Sequence, residues 1–414
     1  MNDRLWLVAG LLICVVCPGR ARAQDEKPDV PAAESRLRPA APQPVPPAEL
    51  EESLGRGVDY LVTHQNRDGS WGSPALKGGV PIIAGIGSHH AYQVAVTAMS
   101  VAALIESGST STAVLDAIEK GEKHLMEQLP RVRRDDPMLI YNVWTHAYGI
   151  QALVRMHARL PNDEPRRQRI RELIQGQYEK LTRYESVEGG WGYYDFDSGT
   201  QRPAASSTSF VNAAVLIALH ESAQIGVAPP EKVVRRAVQM TKKERLPDGS
   251  YMYGYYLHRV PTHPVNQPGG SLGRSQACSL SLRLWGDKDM TDEVLETWLD
   301  RLISRNGWLS MGRKKPVPHE SFYAVAGYFF YFGHYYAGLC IDQLPAPRQE
   351  FYKHHLARLI IDLQEADGSW FDYPFYDYHK AYGTAFAVMT LNACRAKPQW
   401  HLAPAQEPLQ PPKN

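Results

Sequence analysis

An all-α fold, an (α/α)6 toroid of six helix-pair repeats, is predicted by three features of this sequence. A Gly–aromatic turn recurs at a near-constant interval, half-polar helical segments alternate with almost wholly apolar ones, and a His- or Arg-bearing segment precedes successive apolar helices. The turn is clearest as Gln65-Asn66-Arg67-Asp68-Gly69-Ser70-Trp71, which returns as Gln364-Glu365-Ala366-Asp367-Gly368-Ser369-Trp370. Weaker copies are Glu188-Gly189-Gly190-Trp191, Pro247-Asp248-Gly249-Ser250-Tyr251 and Arg305-Asn306-Gly307-Trp308. Their aromatic positions lie 120, 60, 57 and 62 residues apart, so one copy has decayed, near 131–136. A period of about 60 residues marks units that cannot bury a core alone and must stack on their neighbours.

Each unit reads as helix, turn, helix. The first helix is amphipathic, as in Val58, Leu61 and Val62, or Leu356, Leu359, Ile360 and Leu363. The second is apolar and rich in small residues, as over 95–105, 213–218 and 384–393. Half-polar helices belong in an outer ring, and helices apolar nearly all round belong in an inner one. Units three and four carry long insertions, 195–206 and 251–272.

The ends are read separately. Arg4 precedes an apolar run over 5–16, and Ala21-Arg22-Ala23 offers a small-x-small cleavage site, which is the pattern of a secretory signal peptide over 1–23. That run is short for a membrane span, so no transmembrane span is expected in the mature chain, with an uncleaved anchor as the alternative. Export to the periplasm, cell envelope or medium is the expected location. Residues 24–49 form a Pro-rich flexible linker, 50–396 the toroid, and 397–414 a polar, Pro-rich disordered tail. With Cys14 and Cys17 in the leader, Cys278, Cys340 and Cys394 remain, an odd and widely spaced set that implies no disulfide framework. A net charge of +1 gives no support for nucleic-acid binding. Aromatics at 10%, including 22 Tyr and 9 Trp, suggest a ring-lined site for a small-molecule or lipid-like ligand.

The Gln…Asp-Gly-Ser-Trp turn after an amphipathic helix resembles the glutamine–tryptophan repeat of the squalene–hopene cyclases. From about Leu54 to Ala396 the chain resembles the wider prenyltransferase/squalene-oxidase repeat family, which includes terpenoid cyclases and protein prenyltransferase β-subunits. The resemblance implies a toroid whose Gln-Trp turns pin the fold. It also implies an acid motif, Asp-x-Asp-Asp, in the segment after a Gly-Gly-Trp turn. That segment here is Ser206-Ser207-Thr208-Ser209-Phe210-Val211, where hydroxyls replace the carboxylic acids; a hydroxyl cannot start alkene cyclisation by protonation. Asp195 and Asp197 upstream read as a solvated turn. The prenyltransferase zinc set is echoed by Cys278, in Gln276-Ala277-Cys278, and by His379, in Tyr378-His379-Lys380-Ala381-Tyr382. A Gln replaces the expected carboxylate, so the triad is incomplete and no cofactor is expected, with zinc on Cys278 and His379 as the secondary candidate.

The inner helices, if parallel, bring their N-termini to one mouth. His90, Tyr92, His146, Arg274, Gln276, Tyr323 and Tyr382 are the expected cavity residues, and His319, Glu320 and His379 the candidates for acid–base chemistry. His89 belongs to the same group. The function expected is an exported terpenoid cyclase/prenyltransferase-like toroid with an aromatic cavity for an apolar or isoprenoid-type ligand, catalysis being left open. A polysaccharide-processing (α/α)6 enzyme, which would need paired carboxylates in the cavity, and a non-catalytic binding toroid are the alternatives.

Overall fold

A computed structural model describes residues 37–78, 82–195, 206–319 and 323–404. The leader, the linker up to residue 36, most of the 195–206 insertion, Glu320 and the tail from residue 405 lie outside them. The helix pairs follow one another as α1 (Pro47–Thr63) and α2 (Ile86–Ser107), α3 (Thr112–Gln128) and α4 (Asn142–Arg159), α5 (Glu164–Tyr184) and α6 (Ser209–Gln224). They continue as α7 (Glu231–Glu244) and α8 (Ser275–Leu284), α9 (Asp292–Ser304), the short α10 (Asn306–Ser310) and α11 (Phe329–Asp342), then α12 (Ala346–Ile361) and α13 (His379–Cys394). Among the described residues, extended pairing is limited to isolated bridges such as Leu139 with Tyr194.

Packing closes the ring. α2 packs on α4, α4 on α6, α6 on α8, α8 on α11, α11 on α13, and α13 returns to α2. Outside them α1, α3, α5, α7, α9 and α12 each pack on an inner helix. Composition decides the layer. In α6 every residue from Ser209 to Ser222 is buried, whereas α7 buries a stripe of Val233, Val234, Ala237, Val238, Met240 and Thr241 and exposes Lys242 and Lys243. Several outer helices also carry their own start signals: Ser111, Asp163 and Thr291 accept the backbone N–H of Val114, Arg166 and Val294. None of the described helices is long and apolar enough to cross a membrane.

The recurrent turn works as a clamp between repeats. Trp71, Trp191 and Trp370 are fully buried, and each indole N–H donates to a carbonyl in the last turns of the preceding outer helix: Leu61 at 2.7 Å, Leu181 at 2.8 Å and Ile360 at 2.8 Å. The backbone N–H of Trp71 reaches Thr97 Oγ1 on α2, and that of Trp370 reaches Thr384 Oγ1 on α13. Gln65 Nε2 donates to Gly69 O within the turn and to Ala117 O on α3. Gln364 Nε2 repeats this with Gly368 O and, across the ring closure, Ser53 O on α1. Gly368 has φ +85°, and a Cβ there would stand 2.6 Å from Arg56 O, so the position demands glycine on two counts.

A second device was not visible in the sequence. The next outer helix sends a nitrogen donor back to the carbonyls of the preceding turn. Arg56 on α1 reaches Glu365 and Ala366, His124 on α3 reaches Asp68, and Arg236 on α7 reaches Ser186 and Val187. At the decayed copy, Lys180 on α5 holds the carbonyls of Leu129, Pro130 and Val132, replacing the missing Gln-Trp clamp. The copy at Arg305-Asn306-Gly307-Trp308 does not form the turn. It runs into α10, with Trp308 38% exposed and Asn306 Nδ2 bonded to His334 Nε2 on α11. Without a Gln clamp or an Asp-Gly-Ser turn, its Trp has nothing to fix it over the helix end.

The C-terminal ends of the inner helices are sealed. Arg155 on α4 lies buried between Glu106 on α2, at 2.8 Å, and Glu221 on α6, with Asn392 on α13 and Gln151 completing the carboxylate bonds. Trp400 stacks over the guanidinium at 4.4 Å. Two carboxyls share one guanidinium in a dry setting, and burial raises the pKa of both.

Candidate functional site

With that end plugged, the free space lies in the N-terminal halves of the inner helices, as a cavity of about 600 Å³. Four of the six inner helices present residues at i, i+3 or i+4 spacing to the axis. α2 gives Tyr92, Ala95, Val96 and Met99; α4 gives Trp144 and Tyr148; α11 gives Phe329 and Phe332; α13 gives Tyr382 and Phe386. Phe210 is the contribution of α6. α8 gives no lining residue. Its place is taken by the 251–272 insertion, which folds back over the mouth and supplies Tyr253, Tyr256, Leu257, His263 and Val265. The rings pack edge to face, as in Phe210 on Phe329 at 4.9 Å and Tyr92 on Phe375 at 4.6 Å, a geometry that fixes the wall without filling the void.

Polar atoms in the wall are mostly phenols bonded to one another. Tyr141 donates to Tyr194, Tyr193 pairs with Tyr253, Tyr253 Oη lies 3.0 Å from Tyr328 Oη, and Tyr328 Oη lies 2.9 Å from His319 Nε2. Burial pushes these phenols well above their ordinary pKa, and the same burial, joined by the Arg274 charge, lowers that of His319 against the opposing pull of the Ala324 carbonyl. No carboxylate lines the cavity among the described residues.

Of the residues expected at this site, the cavity wall holds Tyr92, Tyr382 and His319. Glu320 lies outside the described residues. The others sit off the wall, for reasons of helical phase or of backbone demand. His146 lies two residues from Trp144 and two from Tyr148, about 200° round the helix from each. Its ring therefore faces α5, where Nδ1 bonds Gln177 Oε1 at 2.8 Å and the ring stacks on Tyr184. Burial, with the nearby Lys180 charge, lowers its pKa to about 3 despite the Gln177 bond, so it is neutral at physiological pH. His90, two residues before Tyr92, likewise turns away, to Gln128 at the end of α3. His379 bonds the Tyr376 carbonyl at 2.6 Å and packs on Phe371. His89 stands edge-on to Tyr376, at 4.6 Å between ring centres.

Arg274 is wholly buried and directs its guanidinium to the carbonyls of Gly270, Tyr251 and Val265, so it pins the insertion. Its ion stands behind Tyr253 and Phe329, 5.6 and 5.9 Å from their ring centres. Gln276 bonds the Trp298 carbonyl on α9, and Tyr323 packs edge-on to Trp308. Cys278 is a free, fully buried thiol whose pKa burial raises. Among the described residues no three His, Cys, Asp or Glu side chains gather as a metal site.

Two carboxyls near the site are committed elsewhere. Asp195 is buried and paired with Arg134 at 3.1 Å. Asp372 was missed in the sequence, although it follows Trp370 by only two residues. Its Oδ2 accepts the Tyr331 N–H at 2.9 Å, capping α11 from another strand of the chain, and its Oδ1 accepts from Tyr382. Burial raises its pKa to about 6 against these lowering bonds.

Comparison with solved structures agrees with this architecture. The fold is an α/α toroid. The α-1,6-mannanase GH76A of Salegentibacter sp. HEL1_6 superimposes with a TM-score of 0.51 at 12% identity, over 83% of this chain and 98% of that one. A type II terpene cyclase from Scytonema gives a TM-score of 0.47 at 17% identity, over 83% and 97%. At such identities the likeness to the mannanase shows the fold alone. No protein-family model matches the chain, and no curated protein sequence matches it.

Proposed function

We propose that this protein binds an apolar, isoprenoid-type molecule in the aromatic cavity of its toroid. One observation carries the reading: a cavity of about 600 Å³ whose wall is built mainly from aromatic and aliphatic side chains, on five of the six inner helices and on the segments that connect them. Burying an apolar ligand there is favoured by roughly 25 cal/mol per Å² of surface removed from water. A glycoside-processing reading would place two carboxylates about 5–10 Å apart around the sugar, and the described wall supplies neither. For the same reason we propose no acid-initiated cyclisation. The residues at the start of α6 are hydroxyl-bearing, Asp195 is ion-paired, and Asp372 stands behind Tyr382 with both oxygens accepting hydrogen bonds. Export is part of the proposal and rests on the 1–23 pattern; a mature N-terminus at Gln24 would support it.

The experiment is a calorimetric titration of purified protein with acyclic isoprenoids and, in parallel, with α-1,6-mannotriose, followed by incubation with squalene in detergent. Saturable isoprenoid binding, no sugar binding and no cyclised product are expected. Sugar binding without isoprenoid binding would reject the reading. Pentacyclic product would restore the cyclase.

A further inference from the structure

Four polar side chains of the wall form a hydrogen-bonded chain that has a direction, while the Tyr92 hydroxyl, also in the wall, is buried without a hydrogen-bond partner among the described residues. His319 Nδ1 lies 2.7 Å from the Ala324 carbonyl, and a carbonyl can only accept, so Nδ1 carries the ring proton and Nε2 of the neutral ring is an acceptor. Tyr328 therefore donates to Nε2. Tyr328 has one O–H, so its contact with Tyr253 must be donated by Tyr253; by the same count the Tyr193–Tyr253 bond is donated by Tyr193. All three phenol protons point along the chain toward His319. The chain therefore ends at the Tyr193 oxygen, which donates to Tyr253 and receives no bond from the other members. The guanidinium of Arg274 lies behind Tyr253 and is bonded to backbone carbonyls, so it does not reverse the order of donation. The other imidazole of the wall, His263, accepts the Val265 N–H through Nδ1 and so keeps an Nε2–H donor in the mouth loop.

We propose that the ligand is an apolar molecule bearing a hydroxyl group, whose O–H donates to the Tyr193 end of the Tyr193–Tyr253–Tyr328–His319 chain. This deepens the apolar-ligand reading and rests on it. A hydrocarbon would leave the acceptor lone pairs buried without a partner, and a carbonyl group would face them with its own lone pairs. A hydroxyl is the group that completes the chain.

The test uses three probes with one isoprenoid skeleton: farnesol, farnesal and the hydrocarbon farnesene, titrated into the full chain. Farnesol should bind about tenfold or more tightly than either of the others, the effect of one completed buried hydrogen bond. Tyr193→Phe keeps the ring and removes the acceptor. It should remove most of the preference for farnesol over farnesene, and a cooperative thermal unfolding transition, read separately, reports that the variant is folded. Equal affinities of the three probes in the unmodified protein, or a farnesol preference that survives in Tyr193→Phe, would overturn the hydroxyl assignment while leaving the cavity reading intact. Farnesal binding as tightly as farnesol would point to a wall donor such as the Tyr92 hydroxyl or His263 and overturn it too. Failure of all three to bind would reject the assignment and the cavity reading together.

Discussion

Trp71 and Trp370 are each held by three things at once: full burial, an indole bond to the preceding outer helix, and a backbone bond to an inner-helix threonine. Trp71→Ala and Trp370→Ala should each cost about 3–5 kcal/mol, whereas Trp308→Ala, at an exposed ring, should cost under about 1 kcal/mol. Urea unfolding of the three variants measures both claims, and equal losses would contradict the distinction between clamp and decoy. Asp372 supplies a pH-dependent counterpart. Its carboxyl titrates near 6 in the fold against an ordinary 3.8, so the unfolded chain releases the proton first as pH rises. Its contribution to stability is thus complete below about pH 4 and is lost as pH climbs through about 6, a change of about 3 kcal/mol. Asp372→Asn does not titrate and should gain on the unmodified protein by up to that amount between about pH 4 and about pH 7.5. A constant difference across that range would mean the carboxyl is not desolvated.

At the scale of the helix pair, the repeat was legible because its constraints are local. Asp68, Gly69 and Ser70 make a turn whose hydrogen bonds and positive φ select those residue types, so the pattern persists in sequence. Gly368→Ala should destabilise by about 2 kcal/mol or more, since it combines a left-handed backbone with a 2.6 Å approach to Arg56 O; thermal unfolding reads it. The return contacts from Arg56, Arg236 and Lys180 were not legible, because a long cation on an exposed helix face looks the same whether it meets water or a neighbouring turn. Lys180→Met should cost about 1–2 kcal/mol, as it releases the carbonyls of Leu129, Pro130 and Val132 in the copy with no Trp clamp. A neutral result in the same assay would make Lys180 a bystander. The histidines mark a further limit. The sequence pattern placed His90 and His146 just before inner helices, whereas they sit in the first turns of α2 and α4; the height is right, but two residues of helical phase separate them from the wall, and only packing against α3 and α5 fixes that phase.

For the whole molecule, ring closure was inferable from the count of units, and it is made concrete by α13 on α2 and by Gln364 on Ser53. The cavity was inferable in kind, since small, apolar inner helices with aromatic residues at their starts leave a ring-lined space. Its composition was not, because the place of α8 in the wall is taken by the 251–272 insertion, whose path is set by the buried Arg274 and its carbonyl partners. The seal of Arg155, Glu106 and Glu221 was also hidden, each member lying on a different helix. Together the plug and the insertion bound an apolar chamber, and occupation of that chamber by an apolar molecule is the central claim. The direct measurement is the heat-capacity change of farnesol binding to the unmodified protein and to Ala95→Trp, which projects an indole into the cavity from α2. The unmodified protein should show saturable binding with a negative heat-capacity change, the mark of apolar burial, and Ala95→Trp should weaken it by about tenfold or more; equally tight binding in the Trp variant, or no binding in the unmodified protein, would contradict the claim.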